Sequence, residues 1–390
     1  MSSGPAPGED PVVLYIDSLQ AGGAERIALQ WAAWLQEVGR PVVLLTRHGP
    51  ARDFYPLPAG LERAEEPHDP AWLRRLGWWG FPLRVWRLRR LLAERRPALV
   101  VGVTTLPAIK LLLASLAAPW AVAVSERNYP PAKPPALPWR WLRRLTYPWA
   151  ARHLVQTRRT LTWLTATQAV RQERCRVVPN PVAWPLAAFP PHLDPAALVP
   201  PGASLLLAVG TKPHQKGFDR LVEAFALLAP RHPHWHLAIL GPDPAGRRHR
   251  RALEELLARR AADPLLRQRL HLPGPVGNVG DWYAACDLFV LSSRYEGFPN
   301  VLLEAMASGC ACLACACPTG PEEIVRHGVD GWLVPGDADA AALAAALDPL
   351  LEDPALRERL GAGALAVRQR YGPEEVRRLF LAALEPLLPR

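Results

Sequence analysis

Short apolar runs alternate with helical stretches along almost the whole chain, and that alternation leaves few folds open. In the first half, Val12–Ile16, Pro41–Thr46, Leu99–Val103 and Trp120–Val124 read as strands. Gly22–Val38 reads as a helix, with Ile27, Trp31, Trp34, Leu35 and Val38 on one face and Gly39 as its stop. A long basic helical region covers Ala71–Arg96. In the second half, strands are expected at Ser204–Val209, His236–Leu240, Leu270–Leu272, Leu288–Leu291, Ala311–Ala316 and Trp332–Val334. Two helices close the chain, Pro354–Tyr371 and Pro373–Leu388. Strands that alternate with helices form parallel, doubly wound sheets. The 390 residues suffice for two such domains. Val182–Gly202, rich in Pro and Ala and without periodicity, reads as the junction. The expected fold class is therefore α/β: two Rossmann-like domains, 1–181 and 204–371, facing across a cleft. Residues 182–203 would lie between them, and 372–390 would form a closing helix.

Charge divides the same way. Residues 1–200 hold 25 Lys and Arg against 14 Asp and Glu, whereas the remainder hold 21 against 22. Twelve of the 15 tryptophans also lie in the first 200 residues. Two segments concentrate this character, Trp72–Arg96 and Pro138–Trp149. Arg with Trp suits a surface lying on an anionic membrane, and no nucleic-acid module accompanies it. The start of the chain has no basic then apolar leader. Lys110 and two prolines interrupt Leu99–Val124, the best candidate for a span. The expectation is a cytoplasmic protein, peripheral on the inner face of the membrane, with reduced cysteines. Four of the six cysteines fall in Cys310–Cys317 at a spacing that suits a buried strand better than a zinc site.

The chemistry concentrates in Arg294-Tyr295-Glu296-Gly297-Phe298-Pro299-Asn300-Val301-Leu302-Leu303-Glu304. The apolar run Leu288–Leu291 precedes it, and Pro299 opens a helical pattern. Glu296 should then sit in the loop where a strand ends, with Glu304 on the following helix. Ligands of open α/β sheets bind at such strand ends, and a helix start suits phosphate. Fully helical spacing would set the two glutamates ~12 Å apart along the axis. That is too far for the carboxylate pair of a retaining hydrolase, so Glu304 reads as a binding group. A phosphate held there without a metal needs Lys, Arg and backbone N–H groups. Gly210-Thr211-Lys212-Pro213-His214-Gln215-Lys216-Gly217 follows a strand, and so does Gly22-Gly23. Asp337-Ala338-Asp339 has the form of a metal-binding D-x-D but reads as a helix cap.

These residues resemble the E-x7-E motif of the retaining GT-B glycosyltransferases, family four. The resemblance covers most of the chain and is strongest over 204–336. It implies Glu296 against the donor sugar, Glu304 on the nucleotide ribose and Lys216 on the diphosphate. The family usually has Arg where Thr211 stands, a departure for which Lys212 offers a charge without Arg's forked geometry. Gly22 and Gly23 resemble the family's N-terminal glycine loop. The backbone from Phe298 to Val301 should face the diphosphate, except at Pro299, which has no N–H. Asn278 and Tyr283 lie where relatives hold the base. Val178-Pro179-Asn180-Pro181 agrees with the family's domain junction. Arg127 and Asn128 are expected to face the acceptor. The stretches Ser125–Asn128 and Pro318–Glu323 are most similar to enzymes that extend polyprenyl-linked N-acetylgalactosamine chains. The implied function is transfer of a hexose or N-acetylhexosamine from a UDP-sugar, with retention, to a glycan or lipid-linked glycan. No metal and no cofactor is expected. A UDP-sugar epimerase on the same fold and a silent nucleotide-sugar-binding protein are the alternatives.

Overall fold

The computed structural model describes residues 10–20, 22–243 and 249–389. They form two compact units, the first running to Asn180 and taking in Glu374 onward, the second Pro181–Pro373.

Unit 1 holds a seven-stranded parallel sheet. Its strands are β1 Val12–Ile16, β2 Val42–Thr46, β3 Glu62–Glu65, β4 Leu99–Val103, β5 Ala121–Glu126, β6 Arg152–Val155 and β7 Cys175–Val177. The order is β3-β2-β1-β4-β5-β6-β7. Strand β1 carries no charge, as a strand covered on both faces requires. Alternate side chains go to opposite faces. Val12, Leu14 and Ile16 join a core with Trp31 and Leu35 of the helix Gly23–Glu37. Val13 and Tyr15 join the opposite core with the helix Thr105–Ala114. Phe380, on the helix Pro373–Leu384, stacks on Trp31 with ring centroids 4.5 Å apart. The basic region 71–96 is not one helix: Gly77, Gly80 and Pro82 divide it into Ala71–Arg75, a tight turn Gly77–Gly80 and Phe81–Arg95.

Unit 2 holds a six-stranded parallel sheet: β8 Ser204–Val209, β9 Trp235–Leu240, β10 Leu270–Gly274, β11 Leu288–Leu291, β12 Cys312–Ala316 and β13 Trp332–Pro335. The order is β10-β9-β8-β11-β12-β13. Leu206, Ala208, Leu237 and Ile239 face one core, and Leu205, Leu207, Ala238 and Leu240 the other. Cys312 and Cys315 sit on opposite faces of β12 as small core residues. Burial pushes the Cys317 thiol, just beyond the strand, up to about 12.

Two expectations need correction. The stretch 182–203 is part of unit 2 rather than a separate linker. Leu186, Leu193, Leu198 and Val199 pack on its core, and Phe189 N–H donates to the Gly277 carbonyl at 3.0 Å. The helix expected over 354–371 is interrupted: one helix ends at Ala364 and a short one spans Val367–Arg370.

In each sheet the chain leaves its first strand for one neighbour and later returns to the other side. The switch falls between β1 and β4 in unit 1, and between β8 and β11 in unit 2. Loops leaving the carboxyl ends of such strand pairs are the usual ligand positions.

Candidate active site

The loops after β8 and β11 meet at the switch point of unit 2. After β8 the chain turns through Gly210–Lys212 into a short helix, Pro213–Lys216, then through Gly217 into Phe218–Leu228. Gly217 has φ +66, a backbone state that favours glycine. Gly210 gives room for the Lys216 stem, since a Cβ there would lie 2.7 Å from the lysine's Cγ. The ammonium is thereby directed to the second loop, where Lys216 Nζ donates to Glu296 Oε1 at 2.8 Å. Ser293 Oγ donates to the same oxygen at 2.6 Å. The Thr319 hydroxyl donates to the Glu296 main-chain carbonyl. Side-chain exposure of the pair is only 14% for Lys216 and 8% for Glu296. Charges this shielded from water interact more strongly than a surface pair.

A dense network fixes the two loops. Arg294 N–H donates to the Gln215 carbonyl at 2.9 Å, and Ser292 Oγ to the Lys216 carbonyl at 2.8 Å. Arg294 also grips Asp219 with both guanidinium ends, at 2.7 and 2.6 Å. Burial alone would raise the Asp219 carboxyl; the Arg294 hydrogen bonds and charge bring it below its usual value. Buried Arg220 donates to the carbonyls of Ser292, Ser293, Gly336 and Ala338, tying the β11 loop to the chain after β13. Arg220, Ser293 and Thr319 escaped the sequence reading. Only Thr319 lay in a stretch already singled out, and nothing in its spacing indicated a hydrogen bond to Glu296.

Glu304 lies within the helix Asn300–Ala307, whose N-cap is Pro299. Buried Tyr283 reaches the same helix by donating to the Val301 carbonyl at 3.2 Å. Burial first, then the nearby Glu304 charge, raise its phenol well above the ordinary value. Thr211 and Lys212 are exposed beside the β8 turn. Phe298 is buried, its ring 5.6 Å from that of Tyr371. The Asn278 amide is committed within unit 2: it donates to the Leu193 carbonyl and accepts from the Leu193 N–H, both at 3.0 Å. It thus binds the 182–203 stretch to the sheet, a role its sequence position did not reveal. Asp339 caps the helix Ala340–Glu352 by accepting from Ala342 N–H. Among the described residues, His232, Asp348 and Glu352 group at a spacing that could hold a metal. They lie at the opposite edge of the sheet, before β9, and Arg231 already pairs with Asp348 at 2.9 Å.

In unit 1, Gly22 is the N-cap of Gly23–Glu37, and its carbonyl accepts from the Tyr55 hydroxyl at 3.3 Å. Arg127, expected on the acceptor side, immediately follows β5. Its side chain is buried, with the guanidinium 5.1 Å from the Trp31 ring centroid and one nitrogen donating to Asn180 Oδ1. Burial lowers it to about 9. Asn128, one residue on, is exposed. Gln156 Nε2 shares the Asn180 oxygen at 2.9 Å. The sequence reading missed a buried cluster in which Glu66 accepts from Tyr15, at 2.8 Å, and from Lys110. Burial lowers the Lys110 ammonium despite the opposing charge of Glu66.

Residues 193–366 match the family described as glycosyl transferases group 1, and residues 22–181 match the glycosyl transferase 4-like domain. An exopolysaccharide phosphotransferase of Streptomyces coelicolor is 34% identical over 53% of this chain and 20% of its own length. The lipopolysaccharide core biosynthesis mannosyltransferase LpsB of Rhizobium meliloti is 30% identical over 48% of this chain and 53% of its own. The chain thus spans about half or less of the curated relatives it matches. The crystal structure of Anabaena HepE in complex with UDP aligns with 96% of this chain and 100% of its own, with a TM-score of 0.77. At 18% identity that likeness carries the fold alone. Two parallel Rossmann-like sheets and two consecutive family matches lead to one conclusion: the chain belongs to the group 1 glycosyl transferases, with the GT-B fold.

Proposed function

We propose that this chain is a glycosyltransferase that moves a hexose or N-acetylhexosamine from a UDP-sugar to a glycan or lipid-linked glycan, with retention and without a metal. The observation that carries the proposal is the shielded Lys216–Glu296 pair at the switch point of unit 2. Among the described residues both hydrogen bonds to the Glu296 carboxylate fall on Oε1, so Oε2 keeps its lone pairs for a sugar hydroxyl. An ammonium has three N–H groups, so Lys216 can hold Glu296 and still reach a diphosphate. In transfer, the bond from the anomeric carbon to the diphosphate oxygen breaks, and a bond to the acceptor oxygen forms. The acceptor's proton passes to the departing diphosphate. Lys216 and the N–H groups at the start of Asn300–Ala307 stabilise the charge that develops there. Glu304 binds the nucleotide ribose, and Lys212 supports the diphosphate where the family has Arg in place of Thr211. The HepE structure in complex with UDP and the lipopolysaccharide relative support this choice of donor and acceptor class. An acceptor of that kind is borne by a membrane, and the basic, Trp-rich unit 1 suits that surface.

The test is incubation of the purified chain with UDP-sugars, with and without a glycan acceptor, in the presence of a chelator. Transfer with retained anomeric configuration, unaffected by the chelator, is expected. Glu296→Ala should reduce it at least ~100-fold with an unchanged melting temperature. Epimerised free sugar from donor alone would replace this proposal with the epimerase. A Glu296→Ala variant of full activity would remove the residue from the chemistry.

A further inference from the structure

Unit 1 carries a helix whose exposed side is apolar. Leu137–Thr146 turns Trp139, Leu142, Arg143 and Thr146 toward the protein. Leu137, Trp141 and Leu145, four residues apart and hence on one face, are exposed by 61%, 66% and 57%. A surface helix ordinarily shows the reverse arrangement. Arg140 and Arg144 flank the stripe, and neither has an acidic partner among the described residues. The stripe does not end with its helix. The Trp139 ring stands edge-on to Trp78 and Phe81, each 5.2 Å away between centroids, so the turn Gly77–Gly80 lies alongside. That turn presents Trp79, exposed by 86%.

Not every Arg of the basic region is available. Arg84 and Arg87 pair with Asp69, and Arg89 donates to the carbonyls of Ala114 and Leu116. Arg140 and Arg144 at the apolar face, and Arg75 beside the turn, have no acidic partner among the described residues. A ridge of Leu and Trp bordered by unpaired Arg matches a bilayer, where apolar side chains enter the acyl boundary and Arg meets anionic headgroups. Among the described residues no helix is long and apolar enough to cross a membrane, so the contact would lie in the membrane plane.

We propose that the stripe Leu137–Trp141–Leu145, with Trp79 beside it, is a docking face for a membrane of anionic lipid. The proposal deepens the reading of a membrane-borne acceptor given above and rests on it for its purpose. It is tested with the full chain and phosphatidylcholine vesicles made with and without phosphatidylglycerol, by sedimentation at about 0.1 M and about 0.5 M salt. The expected result is binding only to the anionic vesicles, weakened at the higher salt. W141S/L145S and R140Q/R144Q should each lower partitioning about tenfold or more. L227S, which changes an exposed leucine of unit 2, should bind like the parent. Equal melting temperatures would show that all variants fold. Three results would overturn the proposal: no binding to anionic vesicles, unchanged binding by both double variants, or a dimer in solution that the same variants dissolve. Vesicle binding uses neither donor nor acceptor, so the two readings fail separately. A chain that binds vesicles but transfers nothing loses only the enzyme; one that transfers to a detergent-dispersed acceptor without binding vesicles loses only the docking face.

Discussion

Unit 2 and unit 1 share a strand order, yet they hold their charged side chains differently. In unit 2, Lys216 and Glu296 pair across two loops at the sheet's carboxyl edge, and among the described residues the hydrogen bonds to the Glu296 carboxylate fall on one oxygen only. In unit 1, Glu66, Lys110, Glu126 and Arg127 are buried as well, but there both oxygens of Glu66 and of Glu126 are taken by neighbouring side chains. Glu126 accepts from Thr105 and Tyr147, and burial raises its carboxyl in spite of them. The same topology offers strand-end positions in both units. Whether a charge there stays available to a ligand depends on what covers it. A covered charge must be met inside the protein, because desolvation in the interior costs several kcal/mol per ion.

The contrast is broken most directly at its two lysines. Lys216→Ala should lower transfer by about a hundred- to a thousandfold, as the loss of one charge-stabilising donor does, and should lower the melting temperature less than the loss of a partner in unit 1 does. A Lys216→Ala variant that melts far below the parent would place this lysine with the structural group and erase the distinction between the units. The next largest effect belongs to unit 1. Glu66→Gln leaves Lys110 without its carboxylate and should destabilise the chain by about 3 kcal/mol in denaturant melts. The double variant Glu66→Leu, Lys110→Met removes both charges and should recover most of that loss. If the single variant is neutral, the buried pair is not what holds β3 to the helix Thr105–Ala114.

The same division explains what could be read from the residues. The strands of unit 2 were legible because Ser204–Val209, Leu288–Leu291 and Trp332–Pro335 are apolar runs between clear turns. Three strands of unit 1 were not. Glu62–Glu65 is an edge strand of Glu, Arg, Ala and Glu; Arg152–Val155 opens with Arg and His; Cys175–Val177 is very short. Only tertiary partners make strands of such segments, and no periodicity announces them. Glu296 and Lys216 were legible as candidates through turn chemistry and a family resemblance, and the structure brings them to one hydrogen bond. The burial of Arg127 was not legible, for a physical reason. A residue one position past a strand can turn outward or inward, and stacking on Trp31, 96 positions earlier in the chain, draws it in. Asn278 likewise looked like a ligand group because nothing local showed that Leu193 would claim its amide.

The smallest expected effect concerns acid. His153 on β6 is 1% exposed, its Nε2 lies 3.0 Å from the Tyr147 carbonyl, and its Nδ1 has no partner among the described residues. The neutral ring that donates through Nε2 satisfies this site; a second proton would be buried without an acceptor. Burial accordingly pushes the imidazole down to about 4, against an ordinary value of 6.5. Between those values the unfolded chain binds a proton that the folded ring refuses. Stability is therefore complete above the unfolded value and falls as the pH drops from about 6.5 toward 4. The gap corresponds to roughly 3 kcal/mol at about 1.4 kcal/mol per unit. His153→Phe removes one hydrogen bond, worth about 1 kcal/mol at neutral pH, and should flatten the acid slope in urea melts between about pH 7 and 4.5. It will not abolish the slope, because His271 of unit 2 is also held down to about 4, first by burial and then by the charge of His236. An unchanged slope in the variant would assign the acid sensitivity to unit 2 and reverse the expectation that the more deeply buried polar groups of unit 1 yield first.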